Sequence, residues 1–250
     1  MKLAALQEEL SWTFTWPLAW LKGVGLNLVL AALYLLVWPL ESNPKYDTVL
    51  LFCIYFATFM MADVTTTNIF GPDLKRTYAK LAAGESFARI LLRKNVVQAL
   101  VVMLPMVLIT YAWTEYLYMD AEMLRTIPGV LYPMLLFLGI GNVISVLFVV
   151  PAAELGWRLQ TWRQWRWHLP ELVSYVIPFV IYGLWVYTDL PGNLNFLLKT
   201  WGQDMMVLPS ESAQALMGAS LFLYGSLTIC AVFVFKLKGL QIWGETNLPY

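Results

Sequence analysis

Long apolar runs alternate with short polar segments along the chain, and six of these runs approach the length of a membrane span. A helix needs about twenty apolar residues to cross the core of a bilayer. Windows of that length select Val24–Leu40, Tyr46–Ala62, Val96–Trp113, Pro128–Val150, Leu172–Thr188 and Ala213–Phe235. The runs are continuously apolar, which favours helices over a β-barrel. The pattern predicts an all-α integral membrane protein with six transmembrane helices.

The segments outside these runs define an N-terminal region and one transmembrane domain. Residues 1–22 combine spaced leucines with aromatic residues, which predicts an amphipathic helix lying at the membrane interface. Glu8 and Glu9 within this region argue against a cleavable signal peptide. Residues 23–250 form the six-span domain. Its segment 189–212 is too apolar for an ordinary solvated loop, so short helices entering the outer leaflet or a loop resting on lipid headgroups would both fit.

Composition agrees with a membrane protein. Of the 250 residues, 60% are hydrophobic and 13% are charged, and the mean hydropathy is +0.64. Soluble domains have about a quarter of their residues charged. The formal net charge is zero, so the charge balance does not point to nucleic acid. Cys53 and Cys230 lie in apolar runs, where they are expected to act as small hydrophobes, so no disulfide framework is implied.

The distribution of positive charge predicts the orientation of the spans. If the N-terminus is inside, all of the sixteen Lys and Arg residues except Lys45, Arg125 and Lys199 fall on the inner side. Cationic side chains favour the cytoplasmic side of a membrane. Both termini are therefore predicted to be cytoplasmic, and so is the loop between the second and third spans.

That loop, residues 63–95, carries six of the sixteen cationic residues and has a helical pattern. Leu74, Tyr78 and Leu81 recur at the spacing of one helix face. An Ala-Gly-Glu stretch then predicts a break, and Ser86 is a candidate N-cap for a second amphipathic helix that enters the third span. From the pattern alone, a helix that docks on a partner and an inert, orientation-setting loop remain equally open.

Tryptophan residues concentrate at the predicted membrane surfaces, where their rings anchor a chain to the headgroup layer. Tryptophan and arginine also alternate between residues 157 and 167, a pattern that can bind single-stranded nucleic acid. A short link between two spans fits binding to anionic membrane lipid better, so nucleic acid is not expected as a partner. The predicted interfacial anchors are Trp12, Trp16, Trp20, Trp157, Trp162, Trp165 and Trp167.

Residues typical of catalysis or ion coupling are not arranged in any recognisable pattern. No acidic residue lies deep in a predicted span, where carboxylates usually mark ion-coupled transport. His168 is the single histidine, and no metal-ligand spacing or phosphate-binding loop occurs. We therefore expect no catalytic residue, metal or cofactor in this chain. The energy for any transport would come from another polypeptide.

The fourth and sixth predicted spans contain small and polar residues that allow helices to approach closely. They are Gly139, Gly141, Asn142 and Ser145 in the fourth span, and Gly218 and Gly225 in the sixth. Such residues serve either helix packing or the lining of a transport pathway, and packing is the commoner role. Asn142 in particular needs a hydrogen-bond partner inside the bundle.

The stretch "NIFGPDLKRTYAKLAAGESFARILLRKNVV" resembles the cytoplasmic loop of bacterial ABC exporter permeases of the type-2 kind. Many of these permeases have an N-x-F-G-x-D opening and a Leu-Leu-x-x-Lys-Asn motif that leads into the third span. "GNVISVLFV" resembles the end of their fourth span, although the proline comes late here, at Pro151. The Ala-Gly-Glu-Ser sequence departs from the Pro and Ser that family members often carry at the turn. The corresponding residues are Asn68, Phe70, Gly71, Asp73, Leu91, Leu92, Lys94 and Asn95, and this chain has one residue instead of two between Leu92 and Lys94.

The resemblance implies the permease subunit of an exporter in a bacterial cytoplasmic membrane. Such a subunit pairs with a second copy or a paralogue and docks on a separate cytoplasmic ABC ATPase, which holds ATP and Mg. Residues 74–81 would form the coupling helix in the ATPase cleft, and residues 86–95 would be the lever into the third span. The implied coupling residues are Phe70, Asp73, Leu74, Lys75, Tyr78, Leu81, Arg89 and Lys94.

Other functions remain open at this point. A gradient-driven transporter or channel would need buried ionisable groups or an inverted repeat, and the sequence shows neither. A membrane enzyme that modifies lipids would rest on Asp63 and Asp73 near Lys75, Arg76 and Arg89. One or two carboxylates make a poor metal site. A subunit that only assists insertion or assembly is a further alternative, and the pattern does not identify a substrate.

Overall fold

The computed structural model describes residues 3–15, 64–118, 123–149 and 210–242, together with single positions or pairs at 18, 21, 24–25, 28–29, 32–33, 36, 53, 176 and 180. Helices dominate this part of the chain, with one isolated parallel bridge between Val149 and Ile242. The helices are α1 (Leu3–Thr13), α2 (Val64–Thr67), α3 (Leu74–Ala82), α4 (Phe87–Gln98), α5 (Leu104–Tyr118), α6 (Met123–Leu147) and α7 (Ser210–Lys238). A 3₁₀ turn, Gly71–Asp73, precedes α3.

Within the described residues, three helical stretches are long and apolar enough to cross a membrane: Phe87–Tyr116, Thr126–Leu147 and Gln214–Lys238. They coincide with the predicted third, fourth and sixth spans and agree with a membrane protein. The predicted spans Val24–Leu40, Tyr46–Ala62 and Leu172–Thr188 fall outside the described residues, apart from the scattered positions given above. Segment 189–212 lies outside them almost entirely.

The first of these stretches joins α4 to α5 without a loop, through a π-helical turn at Ala99–Met103. It contains 30 residues, which corresponds to about 45 Å of helix. A bilayer core is only about 30 Å thick. The stretch is therefore longer than a single crossing requires, and the polar residues Arg93, Lys94 and Asn95 lie near its beginning.

Helix α6 is the central helix of the described bundle, and two glycines allow its neighbours to come close. A Cβ atom on Gly139 would lie 2.9 Å from the Cα atom of Tyr224 in α7. A Cβ atom on Gly141 would lie 2.5 Å from the carbonyl oxygen of Thr66 in α2. Both contacts are with backbone, so any larger residue would push the helices apart.

Buried polar side chains complete the contacts of α6. The Asn142 side chain donates a hydrogen bond from Nδ2 to the Thr228 hydroxyl in α7, at 2.9 Å. The Ser145 hydroxyl donates to the Thr66 carbonyl at 3.2 Å and accepts from the Ile69 amide at 3.0 Å. These bonds fix the end of α2 and the middle of α7 against the same helix.

The outward face of α7 is apolar, as expected of a helix that contacts lipid. Gly218 and Gly225 belong to this helix, and among the described residues no atom of a neighbouring element lies within 4 Å of a Cβ placed on either. In the described part of the chain, the close approach in this bundle therefore occurs at Gly139 and Gly141. The large exposed side chains of α7 are Leu221, Phe222, Ile229, Phe233 and Leu237.

Two hydrophobic clusters hold the helices together. A central cluster surrounds α5 and α6, with Phe137 and Met134 fully buried at its middle. A second cluster, called here the aromatic cluster, lies where α4 begins and where α6 and α7 end. Its buried members are Phe70, Leu74, Phe87, Ile90, Leu91, Val146, Val149, Ala231 and Leu240.

Candidate functional site

The candidate site is a helical hairpin made of α3, the turn at residues 83–86, and α4. Its turn follows from local sequence, because Gly84 adopts a φ of +84°, a left-handed conformation that glycine accepts without strain. The Gly84 amide donates to the Leu81 carbonyl and the Glu85 amide to the Lys80 carbonyl, each at 3.0 Å. This is the hydrogen-bond pattern of a Schellman motif. The predicted helix break is confirmed.

The second arm of the hairpin begins after Ser86, as the sequence predicted. Ser86 is extended, with φ −73° and ψ 137°, and its carbonyl accepts from the Arg89 amide at 3.0 Å. Its hydroxyl, however, makes no capping hydrogen bond. The arm is held instead by the Glu85 carboxylate, which lies 2.5 Å from the guanidinium of the buried Arg93.

An ionic cluster of five side chains joins the hairpin to α1. The Lys94 ammonium lies 3.0 Å from Glu9 Oε1 and 2.5 Å from Asp73 Oδ2. The Lys80 ammonium lies 2.9 Å from Glu9 Oε2. Arg76 donates from Nε to both carboxylate oxygens of Asp73, at 3.0 and 3.2 Å, and its Nη2 pairs with Glu9 Oε2. Each carboxylate therefore meets at least two cations.

Burial makes this ionic cluster sensitive to the loss of any member. Glu9, Asp73 and Lys94 are exposed by only 2%, 4% and 5%. A buried ion pair that loses one partner leaves an uncompensated charge, at a cost of about 3–5 kcal/mol. Glu8 lies 3.1 Å from Lys80 at the exposed edge and supplies a third negative charge against the three cations. With Glu8, the positive and negative charges balance.

The Trp12 ring packs against two cations of the ionic cluster. The Arg76 guanidinium carbon lies 4.7 Å from its centroid and the Lys94 ammonium 5.0 Å, distances typical of cation–π contacts. Trp12, which is also one of the predicted anchors in the headgroup layer, has a ring that is half-buried against the protein. The other predicted anchors, Trp16, Trp20, Trp157, Trp162, Trp165 and Trp167, lie outside the described residues.

The cations around Glu9 determine its ionisation. Burial alone would raise the pKa of this carboxyl group, but the charge of Lys94, a hydrogen bond from Lys80 and the charge of Arg76 act in the opposite direction. Their combined effect lowers the pKa of Glu9 to about 2. Glu9 is therefore ionised throughout the physiological pH range. Its negative charge on α1 faces the cations of the hairpin at every such pH.

Helix α3 exposes one face and buries another, and this corrects one of the predictions. Leu74 and Thr77 are buried, and Leu81 is half-buried, so the buried stripe follows positions 74, 77 and 81. Tyr78, which was placed on the same stripe as Leu74, is instead 44% exposed. A spacing of three or of four residues returns to the same helix face, so the sequence pattern could not separate Thr77 from Tyr78.

The predicted coupling residues divide into two groups. Lys75, Tyr78 and Arg89 are exposed on the surface of the hairpin. The others contact the interior of the protein, because their side chains complete the ionic cluster or the aromatic cluster. The buried members are Phe70, Asp73, Leu74 and Lys94, and Leu81 lies at the boundary.

Glu9 is the site residue that the sequence analysis missed. Leu6, Leu10 and Thr13 share one face of α1, and Glu9 lies on that face between them. A charged residue on an otherwise inward-facing stripe signals a buried partner. The sequence pattern could not identify that partner, because Lys94 lies 85 positions further along the chain.

The cluster that would support a lipid-modifying enzyme is not assembled in the described residues. Lys75 and Arg89 point to the surface and take no part in the ionic cluster, and Asp63 lies outside the described part. All the carboxylate oxygens of Glu9 and Asp73 are engaged by Lys or Arg. Among the described residues, no group of three or more His, Cys, Asp or Glu side chains could hold a metal ion.

The chain matches no protein-family model, no curated protein and no solved structure. Its function must therefore be inferred from the residues and from their geometry.

Proposed function

We propose that this chain is the permease subunit of an ATP-driven ABC exporter of the type-2 kind. The proposal is supported most by one observation: a small exposed helix, α3, is fixed rigidly to the beginning of a helix that is long enough to cross the membrane. A displacement of α3 would thus be passed to the membrane-spanning part of the chain. This arrangement fits a subunit that is driven from outside by a separate ATPase.

The exposed face of α3 and the adjoining turn of α4 would be the docking surface. Lys75, Tyr78 and Arg89 present two cations and one aromatic ring there. An aromatic residue flanked by cations suits a partner cleft with an apolar floor and an acidic rim. The partner ATPase would bind ATP and Mg, and closure of its nucleotide sites would push on this surface.

The rigidity of the hairpin supports this mechanical role. Two groups of contacts hold α3 on opposite sides: the ionic cluster through Arg76 and Lys80, and the aromatic cluster through Leu74. From α4 the helix continues through the π-helical turn to Tyr116. A push on α3 would therefore tilt the whole stretch instead of bending a flexible loop.

The remaining elements of the proposal come from the sequence. Six spans, with both termini and the hairpin in the cytoplasm, account for the strong asymmetry of the cationic residues. The permease would lie in a bacterial cytoplasmic membrane and pair with a second copy or a paralogue. The substrate would then cross the membrane along the interface of that pair.

The experiment is a purification of the tagged chain from its native membranes in a mild detergent. We expect vanadate-sensitive ATP hydrolysis, and photolabelling of a co-purifying polypeptide by 8-azido-ATP. Tyr78→Ala should reduce both signals about tenfold, as expected when an interface hot spot of about 1.4 kcal/mol is removed. Tyr116→Ala is the matched control, because Tyr116 is an exposed residue of the same type that lies in α5, at the far end of the long helical stretch that follows the hairpin.

Two results would contradict the proposal. The first is a wild-type preparation that neither hydrolyses ATP nor contains a nucleotide-labelled partner. The second is a Tyr78→Ala preparation whose ATPase content equals that of Tyr116→Ala. In either case the hairpin would not be a docking site for an ATPase.

A further inference from the structure

The first residue of α4 is bound to the last turn of α7 through two stacked aromatic rings. The ring centroids of Phe87 and Phe235 lie 3.8 Å apart, and their planes are within 7° of parallel. Phe70, which precedes α3, also contacts Phe87, with its centroid 5.2 Å from that of Phe87 and the two planes tilted by 39°. Contacts between aromatic rings therefore connect the beginning of the hairpin to α7, which is remote in sequence.

The chain beyond α7 closes this contact from the other side. Gly239 has a φ of +68°, which turns the chain so that Leu240 enters the aromatic cluster. The Gln241 amide donates to the Val146 carbonyl, and the Gln241 carbonyl accepts from the Val149 amide, both at 2.9 Å. The end of α6 and the end of α7 are thus fastened to each other beside the rings.

A second bond joins α4 and α7 further along. The Asn95 side chain donates from Nδ2 to the Tyr224 hydroxyl at 3.0 Å. Phe87 and Asn95 are eight positions apart on α4, which corresponds to about 12 Å of helix. Two separate attachments at this spacing prevent α4 from pivoting freely against α7. Of the two, the aromatic one lies nearer to α3.

We infer that Phe87 and Phe235 are positioning residues through which a displacement of the hairpin reaches α7 directly. This inference rests on the function proposed above and adds a second route to it, beside the covalent continuation of α4 into α5. Closely packed side chains transmit displacement because protein interiors are hardly compressible. The hairpin therefore moves the ends of α4, α6 and α7 as one block.

The test is hydrogen–deuterium exchange on the permease with its co-purified ATPase, with and without ATP and vanadate. In the wild type, exchange should change in the hairpin, residues 74–82, and also at residues 231–242. Phe235→Leu should keep the change in the hairpin and lose at least half of the change at 231–242. Phe235→Tyr, which retains the ring, should restore that second change.

Phe233→Leu is the matched control, because Phe233 is 59% exposed and lies two positions earlier on the same helix. Size-exclusion chromatography checks that each variant is folded. Phe87→Leu, which removes the opposite ring of the stack, gives the same comparison if Phe235→Leu does not fold.

The outcomes distinguish this inference from the proposed function. A wild-type hairpin that does not respond to ATP and vanadate overturns the proposed function, and the inference falls with it. A hairpin that responds in every variant, with an unchanged response at 231–242 in Phe235→Leu or Phe87→Leu, overturns the inference alone. Loss at 231–242 in Phe233→Leu as well would show a general softening of α7 and would also overturn it.

Discussion

The Lys94 ammonium lies 3.0 Å from Glu9 Oε1, although 85 positions separate the two residues in sequence. Both side chains are almost fully buried. Their contact fixes the N-terminal helix to the arm of the hairpin that continues into the membrane. The N-terminal helix is thus part of the same structural unit as the hairpin.

Replacing Glu9 should release α1 from the hairpin. Glu9→Gln removes the charge that Lys94, Lys80 and Arg76 share, and we expect a loss of about 3 kcal/mol in stability because three cations remain beside one buried carboxylate. Glu8→Gln is the matched control. Glu8 is 56% exposed, so its loss should cost less than about 1 kcal/mol. Thermal unfolding in detergent, with limited proteolysis of residues 3–15, measures both effects. Equal behaviour of the two variants would contradict this account.

The same carboxylate predicts a specific acid sensitivity. A group whose pKa is lower in the folded state stabilises the protein above its ordinary pKa and loses that contribution as the pH falls towards the folded value. For Glu9 these limits are 4.5 and about 2. The stability difference between the wild type and Glu9→Gln should therefore be constant from pH 7 to pH 5. It should shrink progressively below pH 4.5, as measured by melting curves at each pH.

A difference that instead changed between pH 7 and pH 5 would be inconsistent with this pKa. It would indicate that Glu9 titrates near its ordinary value and that the cations do not surround it as described.

The glycines of α6 and α7 should respond differently to alanine. Gly141→Ala places a methyl group against the backbone of Thr66, and Gly139→Ala places one against Tyr224. Such overpacking costs about 1–3 kcal/mol because backbone cannot move aside. Gly225→Ala meets open space in the described structure and should be neutral, or stabilising by up to about 1 kcal/mol through helix propensity. Melting temperatures in detergent rank the stability of the three variants. An equal loss of stability in all three would contradict the close backbone contacts described at Gly139 and Gly141.

The same substitution to aspartate should have different effects at a buried and at an exposed position of α3. Leu74→Asp places a carboxylate in the aromatic cluster, so we expect a poorly folded protein that elutes as aggregate in size-exclusion chromatography. Tyr78→Asp should elute like the wild type, because Tyr78 is 44% exposed. Under the proposed function, this variant should also lose the partner ATPase during purification. A well-folded Leu74→Asp variant would show that the buried stripe of α3 has been assigned incorrectly.

The hairpin was predictable because its signals are local. Gly84 and Ser86 marked the turn, and the observed helices, Leu74–Ala82 and Phe87–Gln98, begin and end within a few residues of the predicted positions. Which residues of α3 face inward was not predictable to the same degree. Thr77 and Tyr78 both continue a stripe that starts at Leu74, and only the neighbouring helices decide between them.

The sequence pattern could not predict which distant segments contact each other. Glu9 and Lys94 were both visible as charged residues on helices, but nothing in their spacing pairs them. The small residues gave a similar result, since Gly139 and Gly225 look alike in sequence. Their difference depends on whether a neighbouring backbone passes nearby, which is a property of the assembled bundle.

The π-helical turn at Ala99–Met103 determines how the chain tolerates the insertion or deletion of a residue. A π turn inserts one additional residue, and one residue corresponds to about 100° of rotation around a helix. The side chains that follow it, such as Met106 and Thr110, are buried with this offset in place. Deleting a single residue there would leave the side chains of α4 in place. It would rotate every later side chain of the span by about 100° around the helix axis, away from its present neighbours.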